Sequence, residues 1–340
     1  MIGRNEGERL KRCLRSLTGP TQRIVYVDSG STDGSVEFAR SMGVDVVELD
    51  LSKPFTMARG RNAGFERLIK CEPSIDYVQF VDGDCEVVAG WMEQARSVVG
   101  SEPNVVAVSG RRRERHPDAS IYNRLCDMEW DGSAGEVRSV GGDVMMRAAA
   151  LQQAGLFNEK MIAGEEPELC VRLRRAGGKI RRLATEMTLH DADMASFGQW
   201  WKRAVRGGHA YAEGAALHGS PPERHNVRHV RSAIVWGFCV PLLGIASAVA
   251  GALLTSWSWL LCAAIVSGYL LLGIRIYGHR RHQGDSRDHA RIYAFFCVLA
   301  KFPQAIGIAM FHLNRWRGRT STLIEYKTAL PEVQCCKPNV

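Results

Sequence analysis

From Ser232 to Leu254 the chain carries no charged residue, and after a short loop, Thr255-Ser-Trp-Ser-Trp259, a second uncharged run extends to Ile274. About twenty apolar residues suffice to cross a bilayer as a helix. Two adjacent runs of this length are rare in soluble domains, so they read as a transmembrane hairpin. The flanks RHNVRHVR and RIYGHRRHQ are basic and the connecting loop is uncharged. The positive-inside rule therefore puts both ends, and whatever precedes them, on the cytoplasmic side. A third apolar segment, Ile292–Leu313, contains Lys301 and Pro303 and has arginines on both flanks. A central lysine costs roughly 2.5–3.5 kcal/mol on insertion scales. That segment is expected to be an interfacial or re-entrant helix rather than a span, with Lys301 facing phosphate head groups. Cys335-Cys336 in the tail are either a lipidation site or without a role.

Before the basic stretch Arg224–Arg231 the composition is that of a globular domain. Residues 1–110 alternate short β-like runs with helical patterns, which predicts an α/β fold with a mostly parallel sheet flanked by helices. Helices are expected over Glu8–Leu17, Ser35–Met42 and Phe55–Leu68, and strands over Arg23–Asp28, Val44–Leu49 and Asp76–Val81. Gly3-Arg4-Asn5-Glu6 looks like the end of a further strand whose body is short or missing. The formal charge of +8 and pI near 9.0 call for an anionic partner, whether nucleic acid, membrane surface or nucleotide. Because the basic residues cluster beside the apolar runs, lipid head groups account for them more simply than nucleic acid. Ten scattered cysteines without a C-x-x-C pair fit a reduced compartment. No apolar stretch near Met1 reads as a secretory signal.

Strands that end in polar residues place those residues at the edge where open α/β sheets bind ligands. Val78–Glu86, VQFVDGDCE, is the sharpest case: a buried strand delivers Asp82 and Asp84 around one glycine. Such carboxylates can hold a hard divalent cation that bridges to substrate phosphates; a solvated turn is the alternative. No G-x-G-x-x-G joins a strand to a helix and no P-loop is present.

Seven stretches in order bear a family likeness: Asn5-Glu6, VYVDSGSTDGS (Val25–Ser35), ARGRNAG (Ala58–Gly64), VDGD (Val81–Asp84), SVGGDVMMR (Ser139–Arg147), GEEPELCVRLRRAGG (Gly164–Gly178) and QWWKRAVRGG (Gln199–Gly208). Over roughly residues 1–215 the chain resembles the inverting family-2 glycosyltransferases of GT-A fold. The likeness implies a catalytic domain over 1–215, a basic linker 216–231, two transmembrane helices within 232–276, the interfacial helix at 290–314 and a polar tail 315–340. It implies a nucleotide-diphosphate sugar donor, UDP-linked by preference, and Mg²⁺ or Mn²⁺. The acceptor would be a lipid-linked or other saccharide at the cytoplasmic face of the inner membrane.

By that resemblance Asp28 would accept a hydrogen bond from the base, with Arg61 and the backbone near Gly3 completing the pocket. Asn5 and Glu6 belong to the same donor set. Asp28 could instead cap the helix that follows, although Asp33 is better placed for that. Asp84 would be the metal ligand, and Asp82 would reach the ribose, or the metal through water. His190 is either a further metal or phosphate contact or a polar loop residue. The general base falls on Glu166 where the family has aspartate, with Glu165 as the substitute. The extra methylene moves the oxygen by about an ångström, a displacement that can cost large factors in rate, while the unperturbed pKa of about 4.3 leaves Glu chemically competent. Equally, Glu165, Glu166 and Glu168 suit a helix N-terminus on dipole grounds alone. Arg203 and Arg206 would lie near the diphosphate or an anionic acceptor. Trp200 and Asp143 are counted with the acceptor site, and the alternative for Trp200 is the membrane interface. Order and spacing in QWWKR depart from the Q-x-x-R-W of processive synthases, which favours transfer of a single sugar. The Glu166 departure and the abrupt first strand also admit an inert membrane partner in a polysaccharide assembly complex. A nucleotidyltransferase would need a glycine-rich N-terminal loop that Met1–Glu8 does not supply.

Overall fold

The computed structural model describes residues 1–17, 23–253 and 257–325. The connecting loop of the proposed hairpin at Thr255-Ser256, the cysteine pair and the tail beyond 325 lie outside the described residues.

The first apolar runs become strands because helices cover them on both faces. β1 (Ile2–Gly3), β2 (Val25–Asp28) and β3 (Asp45–Glu48) pair in parallel in the order β1-β2-β3. Between them run α1 (Glu8–Ser16) and α2 (Ser35–Ser41), and α3 (Met57–Cys71) follows β3. Leu10 and Leu14 of α1 are fully buried against Tyr26 and Ala39. α3 starts where Thr56 accepts the Arg59 N–H at 3.1 Å, an N-cap that fixes which residues its first turns present.

The chain then forms β4 (Tyr77–Phe80), β5 (Cys85–Val87), α4 (Trp91–Ser101), β6 (Val105–Glu114), α5 (Ile121–Trp130), β7 (Gly135–Glu136), β8 (Val144–Arg147), α6 (Ala148–Gln153), α7 (Glu165–Arg175) and β9 (Lys179–His190). Six of these strands make a second sheet, β4-β8-β6-β9-β5, with β7 on β9. Here the parallel reading holds for β6 with β9, whereas β4–β8, β6–β8, β5–β9 and β7–β9 are antiparallel. A parallel bridge from Ile2 to Asp82 ties the two sheets together. A cavity of about 900 Å³ lies between β2 and β4 at their amino-terminal ends, lined by Val25, Tyr77, Val78 and Met92. The carboxyl-terminal ends of the same strands carry Asp28 and Asp82.

α8 (Phe197–His218) opens with a capping box between Ser196 and Gln199. It is followed by α9 (Val227–Ile234), a π-helical stretch Val235–Cys239, α10 (Val240–Leu253), α11 (Ser258–His282), α12 (Arg287–Leu299) and α13 (Lys301–Trp316). Among the described residues, three stretches are long and apolar enough to cross a membrane: Val227–Leu253, Trp259–His282 and Arg287–Trp316. They differ in packing, since 33% of the third is buried within the protein and none of the second. The break between α12 and α13 has a local cause. Pro303 lacks the N–H that a continuous helix would bond to Leu299, and it is tolerated in the first turn of α13 instead.

α13 is docked on α8 at a pair of glycines. A Cβ on Gly208 would lie 2.1 Å from the Gln304 carbonyl oxygen, and one on Gly307 would lie 2.0 Å from that of Val205. Gly307→Val should therefore lower the melting temperature of the detergent-solubilised protein, by the roughly 1–3 kcal/mol typical of overpacking or more. Gly278→Ala, where the added carbon meets nothing within 4 Å, should leave it unchanged or slightly higher.

Candidate active site

The turn after β4 and the starts of α3 and α7 converge around one guanidinium. Arg61, buried on the second turn of α3, donates from Nη1 to Glu165 Oε1 at 2.7 Å and from Nη2 to Asp82 Oδ1 at 2.9 Å. Glu166 Oε1 lies 3.0 Å from the same Nη1. The neighbouring Asn62 holds the loop before α7, donating to the Phe157 carbonyl and accepting the Phe157 N–H. ARGRN thus places one residue on the carboxylates and the next on the loop that presents two of them. The approach is close: a Cβ on Gly142 would sit 2.3 Å from Arg61 Nη2 and 3.0 Å from Asp82 Oδ2, so a side chain there would have to displace the clamp.

Glu165 and Glu166 are the first residues of α7, where acidic side chains also meet the helix dipole. Glu165 is sealed, whereas the Glu166 side chain keeps 13% of its surface open. Burial, and then the Glu165 carboxylate, push the Glu166 carboxyl up to about 7 against the pull of Arg61. Glu168 does different work, pairing with Arg172 and accepting from His218 Nε2 at 2.8 Å. It is a structural anchor of the same helix.

Antiparallel pairing of Cys85 with His190 sets the other half of the site. It brings His190 Nε2 to 3.3 Å from Asp84 Oδ2, both residues buried. His190 therefore ends a strand rather than standing in a loop. Its Nδ1 faces Glu114 Oε2 at 3.8 Å, and Trp130 meets its ring edge-on at 4.7 Å. Asp84, Cys85 and His190 offer ligand atoms within 4.8 Å of one another. A carboxylate with a neutral imidazole is a donor set that a divalent first-row cation accepts. The acidic groups Asp82, Asp84, Asp143, Glu165 and Glu166 outnumber the guanidiniums Arg61 and Arg112, and such an excess of buried negative charge favours a bound cation.

Other residues singled out in the sequence have tasks in the scaffold. Asp28 accepts from Tyr26 Oη and Ser31 Oγ on one oxygen and from the Gly30 and Ser31 N–H groups on the other. A carboxylate has about four acceptor positions, and in this structure those of Asp28 organise its own loop. It does not cap α2; Asp33 accepts the Ser35 N–H instead. Asn5 Oδ1 accepts the Thr32 N–H, Glu6 pairs with Arg9, and the Gly3 carbonyl accepts from Ser29. These contacts hold the β1 and β2 loops together. Asp143 is fully buried, accepting from the Asp82 N–H and Thr188 Oγ1.

Gln199 closes the α8 cap. Trp200 is buried edge-on against Phe296 at 4.9 Å, joining the domain to α12, so it lies neither on an open acceptor surface nor at an exposed interface. Arg203 pairs with Glu129 at 2.6 Å, and Arg206 reaches Met57 at the start of α3. Arg112, Thr188, Glu114 and Trp130 join the site unannounced. Their only signal is position, since Arg112 and Glu114 continue the apolar VVAVSG strand to its polar end.

Residues 1–145 match the model of glycosyl transferase family 2. They form a family 2 glycosyltransferase domain. Glycosyltransferase AglE of Haloferax volcanii is 25% identical over 246 residues, which span 68% of this chain and 76% of that relative. A pre-mycofactocin glycosyltransferase of Mycobacterium tuberculosis is 28% identical over 205 residues, 55% of this chain and 41% of that protein. Among solved structures, the mannosyltransferase PcManGT of Pyrobaculum calidifontis, in complex with GDP-mannose and Mn²⁺, superposes with a TM-score of 0.52. At 17% identity it covers 93% of this chain and 86% of its own. The likeness establishes the GT-A-like fold of the glycosyltransferase.

Behind the start of α7, α8 carries a second pair, a buried histidine and a half-buried glutamate. His209 Nδ1 lies 3.6 Å from Glu213 Oε2, and Ala210 between them packs on Gly164. Burial pushes Glu213 up to about 7 and His209 down to about 4.

Two outcomes follow from these charges. A carboxyl whose pKa rises on folding stabilises the fold while protonated, and that contribution is lost as pH rises from about 4.5 through about 7. Glu213→Gln should flatten the melting temperature against pH over that window. Arg61→Met strands three carboxylates and should cost about 3–5 kcal/mol by denaturant unfolding, whereas Arg203→Ala, removing a half-exposed pair, should cost about 1 kcal/mol or less.

Proposed function

We propose that this glycosyltransferase moves one sugar from a nucleotide-diphosphate donor, UDP-linked by preference, to a hydroxyl of a lipid-linked saccharide, with inversion. The carrying observation is the Arg61 clamp, which puts two carboxylates at a helix start within one guanidinium of the Asp82-Gly-Asp84 turn. A base and a donor-side carboxylate are thereby held in fixed relation, as an in-line displacement requires.

Glu166, the more open of the pair, takes the proton from the acceptor hydroxyl as its oxygen bonds to the anomeric carbon. The bond from that carbon to the nucleoside diphosphate breaks in the same step, and no covalent enzyme intermediate forms. Glu165 accepts from Arg61 and orients the clamp. The donor nucleoside fits the cavity of about 390 Å³ beside Arg4, Ser29, Leu49, Pro54, Phe55 and Arg59. On this reading base recognition lies next to Asp28 rather than on its carboxylate. Asp84 and His190 would hold Mg²⁺ or Mn²⁺, whose charge offsets that developing on the departing diphosphate.

Two apolar helices, α10 and α11, anchor the domain in the inner membrane, with the site on the cytoplasmic side. α12 and α13 lie at the interface, and the docking of α13 on α8 supports this reading. An acceptor held in the same bilayer gains effective concentration at the site.

Purified protein with Mn²⁺ and a panel of sugar nucleotides tests the reading. One donor should raise the melting temperature, Asp84→Ala should abolish the gain, and turnover should rise with pH through about 7 as Glu166 ionises. Glu166→Gln should lose at least a hundred-fold in kcat. Donor binding with equal background rates in wild type and Glu166→Gln would instead identify an inert partner.

A further inference from the structure

Arg112 stands at the polar end of β6, opposite Thr188 in register. Its Nη2 lies 2.9 Å from Asp143 Oδ2 and 3.5 Å from Asp82 Oδ2. The guanidinium is covered by the Trp130 ring at 5.4 Å, and the side chain is only 16% exposed. Asp82 is thus gripped from both sides, by Arg61 on Oδ1 and by Arg112 on Oδ2. Asp143 has no slack either, because its oxygens also take the Asp82 N–H and the Thr188 hydroxyl. Asp84, two residues on, lies 3.3 Å from His190 Nε2.

A carboxylate beside two guanidiniums gives a divalent cation a weaker attraction than one without them. A cation arriving alone meets Asp84 and His190 but must displace Arg112 to use Asp82. A cation arriving with a diphosphate brings its own oxygens and does not need Asp82. We propose that Arg112 is an internal counter-cation that withholds Asp82 in the donor-free enzyme, so that tight metal binding waits for the nucleoside diphosphate. The proposal rests on the metal reading of Asp84 and His190 given above. In it Arg112 is a positioning residue, acting through Asp82 and Asp143.

Its test is a Mn²⁺ titration of the full-length protein in detergent, followed by electron paramagnetic resonance of the free ion, with and without UDP. Wild type should bind Mn²⁺ alone weakly, with UDP strengthening binding by at least ten-fold. Arg112→Gln, which removes the charge, should bind Mn²⁺ alone at least ten-fold more tightly and gain correspondingly less from UDP. If that variant does not fold, Arg112→Lys serves in its place. A single ammonium can satisfy only one of the two carboxylates, so it should give an intermediate gain of about three-fold. Unchanged or weaker Mn²⁺ binding in whichever variant folds overturns the role of Arg112 and leaves the metal reading intact. Absence of Mn²⁺ binding in wild type, with or without UDP, removes both.

Discussion

The site depends on Arg61. Three carboxylates from two distant segments, Asp82 at the end of β4 and Glu165 and Glu166 at the start of α7, meet its two terminal nitrogens. Bringing like charges together in a buried place is unfavourable unless a cation with matching geometry is present, and a planar guanidinium can serve several oxygens in fixed directions. The helix that carries Arg61 is itself pinned, by the Thr56 cap and by Asn62 on the Phe157 loop. Distortion of any of these contacts shifts the base relative to the donor-side aspartates.

Much of this was open to reading from pattern alone because the relevant residues sit at ends of regular elements. Buried strands announce themselves as apolar runs, and the polar residue that terminates one is conspicuous, as at Asp28 and Asp82. Which task that residue performs is another matter. Asp28 spends its acceptor positions on the loop that follows, and the spacing of VYVDSGS does not reveal this. Trp200 illustrates the same limit: an aromatic on an amphipathic helix signals burial or an interface, and only the packed position of Phe296 decides for burial. Arg112 was invisible for a third reason. Its importance arises from register between β6 and β9, strands more than sixty positions apart, and no local pattern encodes that pairing.

The apolar helices are not a detachable anchor. α13 lies on α8 with glycine backbones in contact, and Trp200 joins the domain to α12. α8 in turn backs Gly164, where the helix bearing Glu165 and Glu166 begins. A packed path therefore runs from the apolar helices to the Glu165 and Glu166 carboxylates. The pair His209 and Glu213 sits on that path and gives it a sensitivity to protonation.

If Arg61 makes Glu166 and Asp82 one unit, a double-mutant cycle measures their coupling directly. Arg61→Met and Glu166→Gln, alone and together, would be compared for kcat/KM with the sugar nucleotide that proves to be the donor. If the residues act as a unit, the double variant loses little more than the worse single one, and the losses are strongly non-additive. Losses that multiply independently would contradict the account.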